Sequence, residues 1–350
     1  MAQAKSIKDL HKIRAYHRDL LDKFNSNLGT ALGFKKYSGR KRVSKDPAIL
    51  VFVEEKINPK WLPDAQEIPK KLEIPGGPWC HVDVVQGGVA GVVSGGELYG
   101  EVLERLRGWD EFIYPGSQIA VTNKKDDIVA FGTITAFVKK KKGKAVGLLT
   151  NEHVALSKGT DIYFPSDSGI HLATTIESYE YIYDEYWFQG VDEKDTYFAI
   201  DCGFAKLAKG VDPKWIKNEI ITKNPKKNLK LGSVIDFDTN SMQMIGLKVA
   251  KLGRTTGYTT GTIIAAGFEM EDEKKWTGYT DFVIAGYNGK AFSAPGDSGS
   301  LIFSNDKSRN PIGLLWGGWE HQFRHGRGLE DITYGVSLKK VLDFMGLELL

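Results

Sequence analysis

The chain has 350 residues, 41% of them hydrophobic, and its 47 basic and 44 acidic side chains leave a formal charge of +3. That supplies core for two or three compact globular units, and the near balance of charge excludes a whole-molecule field favouring nucleic acid or an anionic membrane. The N-terminal MAQAKSIKDLHKI carries charges where a secretory signal needs an apolar core, and no apolar run approaches the about 18 residues of a membrane span.

Cys80 and Cys202 are too few for a disulfide framework and leave room for one bridge at most, so a soluble, cytoplasmic protein in a reducing compartment is expected. In chain order, Ile7, Leu10, Ile13, Leu20, Leu21 and Phe24 recur at helical spacing, which predicts an amphipathic helix over about residues 6–25 with His11 and His17 on its charged face. A basic loop at 40–45, the β-rich run AILVFV at 48–53, and a proline-punctuated stretch ending in HVDVV follow. Together these predict a small α+β accessory or regulatory domain over residues 1–85, with Gln86-Gly87-Gly88 as the linker.

Beyond the linker the texture changes to short strands, among them QIAVTN, IVAFGTITAFV, AVGLLT, AIDCGFAKL, TGTIIAA, DFVIAG, SLIF and PIGLLW, bounded by Gly, Asp, Asn and Thr. This predicts a mainly β architecture of barrels or sandwiches, and two barrels suit the length. The lysine-rich run at 139–144 reads as a solvated hairpin tip rather than a nucleic-acid patch. Leu338, Val341, Leu342 and Met345 recur at helical spacing and predict a terminal helix on the second barrel.

Three local signals carry chemistry. Ala294-Pro295-Gly296-Asp297-Ser298-Gly299-Ser300 precedes the apolar strand LIF. A serine hydroxyl attacks a carbonyl only when a base takes its proton, and the developing oxyanion needs donors. Glycines beside the serine let the amides of Gly296 and Ser298 point into one cavity, although an ordinary Gly-Asp-Ser turn also fits these residues alone. In Leu149-Thr150-Asn151-Glu152-His153-Val154-Ala155 an apolar strand ends in a polar corner that carries a candidate general base, His153. His321 and His325 sit instead in a polar loop. In Tyr197-Phe198-Ala199-Ile200-Asp201-Cys202-Gly203 a carboxylate interrupts an apolar run, and a buried charge needs a partner such as a histidine to orient. Asp192 and Asp195 are its competitors.

The order His, Asp, Ser, with TNEHVAL, AIDCGFAKL and GDSGSLIF, resembles the chymotrypsin-like (trypsin-like) serine peptidases. With AILVFVEEKI, KLGRTTGYTTGTI and VLDFMGLEL included, the chain resembles more closely the intracellular trypsin-like proteins of bacteria and plants that include the plant narrow-leaf protein. The resemblance implies a chymotrypsin-like double β-barrel, the first barrel (86–215) carrying His153 and Asp201, and the second (216–350) carrying Ser298 and the C-terminal helix. It implies a serine endopeptidase that works through an acyl-enzyme with the triad His153, Asp201 and Ser298, and an oxyanion hole from the amides of Gly296 and Ser298.

By the same resemblance, Leu315-Trp316-Gly317 would pair with the substrate backbone. Phe292, Ser293 and Gly335 would lie near a specificity pocket without an acidic residue, which implies apolar or small side chains rather than Lys or Arg. Leu315 replaces a familiar serine and so removes one hydrogen bond to the aspartate. Secreted relatives are switched on when a new N-terminal amine pairs with the acid before the serine. Asp297 has no such amine to receive, and ordering by oligomerisation or by the N-terminal domain is expected instead.

The competing expectation is a catalytically silent module that grips a peptide in the same cleft. The aromatic stretch at 179–190 reads equally as a lid, a partner surface or a satellite core, and Arg254-Thr255 as a turn rather than a phosphate loop. No cofactor or metal is expected. The expected partners are a protein or peptide substrate and, through the N-terminal domain, a second copy or a regulator.

Overall fold

The computed structural model describes residues 2–24, 27–37, 44–53, 56–57, 59–63, 65–86, 100–122, 128–183, 196–222, 224–237, 242–271, 277–287, 290–318 and 332–350. Gly87 and Gly88 of the expected linker, Asp192, Asp195, His321, His325 and the 184–190 part of the aromatic stretch lie outside them.

The first helix starts where Ser6 and Asp9 cap each other: Asp9 N donates to Ser6 Oγ (3.1 Å) and Ser6 N to Asp9 Oδ2 (3.2 Å). The element expected to run unbroken to about residue 25 is instead α1 (Ile7–Tyr16) and α2 (Arg18–Leu21). The break falls at His17, whose Nε2 donates to the Glu73 carbonyl at 2.9 Å, a tertiary contact that local periodicity does not encode. His11 is also not on a solvated face. It is buried against Arg14, whose Nη2 donates to its Nδ1 at 2.9 Å, and burial together with Arg14 pushes its pKa down to about 3. Arg14 turns inward as well, where it meets Glu269 with Nε to Oε2 at 2.9 Å, while Lys8 and Lys12 stay exposed.

In the N-terminal sheet, β1 (Asn27–Phe34) pairs antiparallel with β2 (Pro47–Val53), β2 runs parallel to a later strand, and β3 (Lys71–Glu73) pairs with that strand, β4 (Trp79–Gln86). A short α3 (Gly100–Glu104) precedes the first barrel. Its strands are β5 (Gln118–Thr122), β6 (Ile128–Thr133), β7 (Ala136–Lys140), β8 (Val146–Thr150), β9 (Asp161–Phe164), β10 (Ile170–Tyr183) and β11 (Thr196–Leu207). They pair antiparallel in the order β6–β5–β9–β10–β11–β8–β7. Only Ile134 and Thr135 separate β6 from β7, so chain continuity closes the ring. The four-residue α4 (Glu152–Ala155) follows β8.

After the small ladder β12 (Glu219–Ile220) and β13 (Leu229–Lys230) comes the second barrel. Its strands β14 (Lys248–Gly253), β15 (Gly257–Glu271), β16 (Thr277–Gly286), β17 (Leu301–Ser304), β18 (Pro311–Gly318) and β19 (Ile332–Ser337) form a closed antiparallel ring, β14–β15–β16–β19–β18–β17 and back to β14. The expected mainly β fold is therefore present.

The N-terminal sheet continues into this barrel, because β1 pairs antiparallel with β15 (Leu32 opposite Ala266) and Leu32, Ile49 and Val51 share a core with Val249, Ile263 and Ile284. The predicted terminal helix is α5 (Leu338–Phe344). Leu338, Val341 and Leu342 pack into one core with Leu149, Ile200 and Phe204 of the first barrel and Ala250, Leu301 and Leu314 of the second. After it β20 (Leu347–Leu349) pairs with β7, so the C-terminal segment is sewn onto both barrels rather than onto the second alone. Residues 141–144 are the turn between β7 and β8, where Lys141 meets Asp343 at 2.8 Å. Both cysteines are free and buried, and burial lifts the Cys80 thiol to about 12. No described helix is long and apolar enough to cross a membrane.

Candidate active site

His153 sits on α4, directly after β8, and Asp201 is in β11, which pairs with β8 up to Thr150 opposite Gly203. The pairing register thus brings the two residues together. His153 Nδ1 lies 2.7 Å from Asp201 Oδ2, and Asp201 Oδ1 accepts from the amides of Glu152 (2.8 Å) and His153 (3.2 Å). Three donors hold a carboxylate that is 5% exposed, so the hydrogen bond expected to be missing through Leu315 is replaced locally by the start of α4. Asp201 has φ +34, a left-handed conformation costing about 1–3 kcal/mol in a residue with a side chain, and the Asn151 side chain braces it by donating to the Asp201 carbonyl at 2.8 Å. Burial alone would lower the His153 pKa. The hydrogen bond and charge of Asp201, with Glu152 and Glu180 behind it, outweigh burial and raise it above the ordinary histidine value.

The Ser298 loop precedes β17. Gly296 has φ +92 and Gly299 φ +93, and a Cβ at Gly299 would lie 2.1 Å from the Thr133 carbonyl and 2.5 Å from Thr150 Oγ1, so only glycine permits this approach. The first barrel satisfies the loop's carbonyls: Thr133 Oγ1 donates to Gly296 O (2.9 Å), Thr133 N to Ser298 O (2.9 Å) and Thr135 Oγ1 to Gly299 O (2.6 Å). Thr150 Oγ1 in turn donates to Thr133 O (2.8 Å), which links the loop to the strand that leads into His153. The amides of Gly296 and Ser298 donate to no described group. Ser298 Oγ likewise makes no hydrogen bond with a described residue, His153 included.

Asp297, one residue before the serine, is wholly buried beside Lys251 of β14, Nζ to Oδ2 2.9 Å. It also accepts from Thr256 Oγ1 (2.6 Å) and from the amides of Thr255 (2.9 Å), Thr256 (3.2 Å) and Ala294 (3.1 Å). Burial pushes its carboxyl up, but the Lys251 ammonium and these donors outweigh burial and hold it below the usual carboxylate range. The amine that this acid was expected to lack therefore comes from inside the chain.

The residues expected to bind substrate divide into two groups. Phe292 is fully buried in the core shared with Ile284 and Ile302, and Leu315 is buried there too, its N donating to Ser300 O and its O accepting from Gly299 N, both at 3.0 Å. Trp316 is half-buried, stacked on Tyr334 with centroids 5.6 Å apart, and its indole donates to Thr280 Oγ1 at 2.9 Å. Gly317 lies opposite Tyr334 past a bulge in the β18–β19 ladder. Ser293 Oγ and Thr333 Oγ1 are 2.7 Å apart, while Gly335 is packed so closely that a Cβ there would lie 2.7 Å from Ile302 Cδ1. Among the described residues no group of three or more His, Cys, Asp or Glu is placed to hold a metal ion.

With this geometry in place, the Nal1 C-terminal domain matches residues 96–350 and the NARROW LEAF 1 N-terminal domain matches residues 2–85. The chain belongs to the Nal1 family. Protein NARROW LEAF 1 of Oryza sativa subsp. japonica is 36% identical to it over 373 residues, an alignment covering 99% of this Nal1-family chain and 61% of the rice protein. The chain thus spans about three fifths of that relative. Solved structures similar to this Nal1-family chain include Nocardiopsis protease (16% identity, TM-score 0.44, covering 67% of this chain and 97% of that one). Another is a glutamic acid specific serine protease described as using a histidine triad in substrate binding (17% identity, TM-score 0.45, 68% and 100% covered). A third is Thermobifida fusca Protease A (18% identity, TM-score 0.43, 68% and 97% covered).

Proposed function

We propose that this Nal1-family chain is a serine endopeptidase with the triad His153, Asp201 and Ser298. The observation that carries the reading is the His153–Asp201 pair at 2.7 Å, set beside a serine loop that the first barrel clamps through Thr133 and Thr135. Ser298 Oγ attacks the peptide carbonyl while His153 Nε2 takes its proton, and Asp201 accepts the Nδ1 hydrogen and stabilises the imidazolium. The oxyanion is received by the amides of Gly296 and Ser298, which have no other described acceptor. His153 then returns the proton to the leaving amine, the C–N bond breaks, and water releases the acyl group by the same steps in reverse.

A second reading, a peptide-binding module without turnover, is favoured by the absence of a hydrogen bond from Ser298 Oγ to His153. Hydrogen bonds between catalytic groups often tighten only on substrate binding, so the peptidase reading is preferred. A fluorophosphonate probe separates the two: it should label wild type at Ser298 and leave Ser298→Ala unlabelled, and equal labelling of both proteins would sink the triad.

A further inference from the structure

Arg254 lies in the turn between β14 and β15 and is held from several directions. Its N donates to Thr133 Oγ1 (3.3 Å), its Nε to Gln118 Oε1 (2.8 Å), its carbonyl accepts twice from Arg107 (3.1 and 2.8 Å), and its guanidinium lies over the Phe131 ring at 4.9 Å. Its two terminal nitrogens make no hydrogen bond or ion pair with a described residue. Arg107 brings a second guanidinium to the same turn, also without an acidic partner among the described residues. Burial, and then Arg107, push the Arg254 pKa below the usual arginine value, and the charge of Asp297, which is already paired with Lys251, does not offset them.

The position of this cation is specific. A Cβ placed on Gly296 would lie 2.6 Å from Arg254 Nη1, so the guanidinium packs against the backbone of the glycine whose amide is proposed to hold the oxyanion. Residues on the other flank of the loop face β18 and β19, through Gly299 to Leu315 and Ser293 to Thr333. If the acyl half of a bound peptide follows β18, the leaving half must exit past Gly296 towards Arg254. We infer that Arg254 is a specificity-determining residue that receives a carboxylate on the leaving-group side of the scissile bond. At about 3.3 Å per extended residue, that carboxylate belongs to an acidic side chain or a free C-terminus within about two residues after the cut. The inference rests on the peptidase reading, and it gives a planar fork of free donors the bidentate acceptor it matches.

The test is digestion of a proteome-derived peptide library by the full chain as wild type, Ser298→Ala, Arg254→Gln and Arg254→Lys, with C-terminally amidated and free-acid sets run in parallel. Wild type should favour a Glu over a Gln after the cut by about tenfold, the equivalent of about 1.4 kcal/mol, and the preference should shrink at high salt because the site is half open. Arg254→Gln should lose that ratio and Arg254→Lys should retain part of it. Loss of preference on amidation alone would assign the carboxylate to the C-terminus, and retention to a side chain. Cleavage that depends on Ser298 but shows no acidic preference, or one that persists in Arg254→Gln, overturns the role of Arg254. Absence of any Ser298-dependent cleavage overturns the peptidase reading itself and the subsite with it.

Discussion

Lys251 Nζ lies 2.9 Å from Asp297 Oδ2, with both side chains wholly buried and Asp297 one residue before the candidate nucleophile. Removing one member of a buried ion pair leaves the other uncompensated, so Lys251→Met should lower unfolding free energy by about 3–5 kcal/mol. Chemical denaturation measures this. The double variant Lys251→Met/Asp297→Leu should regain part of the stability, since an apolar pair of similar volume often replaces an ionic one at little cost, yet its Ser298 labelling should stay slow because Thr255, Thr256 and Ala294 have lost the acceptor that shapes the loop.

Thr135→Val keeps the shape of the side chain and deletes its 2.6 Å hydrogen bond to the Gly299 carbonyl. An unsatisfied buried carbonyl costs about 1–3 kcal/mol, so the melting temperature should fall. Because the bond crosses from one barrel to the nucleophile loop, the rate of Ser298 labelling should fall as well. A loss of stability with labelling unchanged would show that this clamp does not position the serine.

The raised His153 pKa sets a pH dependence. A general base must be neutral, so the labelling rate should rise with pH around a midpoint above 6.5, the ordinary histidine value, and Asp201→Asn should move that midpoint down. Stability moves the other way. A group whose folded pKa is raised adds stability below its unfolded value and loses it as pH rises through the folded one, and for a side chain 46% exposed the effect is small. Rate and thermal-melt profiles over the same pH range test both signs.

Glu269 joins α1 and α2 to the second barrel through Arg14 and Arg18 respectively, each at 2.9 Å. Burial raises its pKa, but the two guanidinium groups outweigh burial and lower it, so its contribution is present above the ordinary value of 4.5 and lost as pH falls through the folded value. Glu269→Gln should cost on the order of 3–5 kcal/mol and speed hydrogen exchange in α1 at neutral pH.

The three candidate catalytic residues were legible because each is a polar interruption of an apolar strand or its end, where chemistry has to explain the cost of burial. Lys251 carries the same signature inside KVAKLG, but its pairing with Asp297 is not legible, because a strand residue and a loop residue 46 positions apart meet only in the folded barrel. Thr133 and Thr135 gave no signal at all, since threonine is an ordinary strand residue and only the docking of the two barrels gives these two an acceptor. Leu315 turns inward for a related reason: alternate residues of a strand face opposite sides, and motif spacing does not say which side is the cleft. Phe292, between β16 and β17, packs into the core with Ile284 and Ile302. The break at His17 is likewise set by a carbonyl 56 residues away.

The carbonyls of Gly296, Ser298 and Gly299 all find their donors on Thr133 and Thr135, in the other barrel. The second barrel therefore owns the proposed nucleophile but not the mould that shapes it. A wedge driven between the two halves would be expected to disarm Ser298 without touching any of the three residues proposed to perform the chemistry, and letting them close again to restore it.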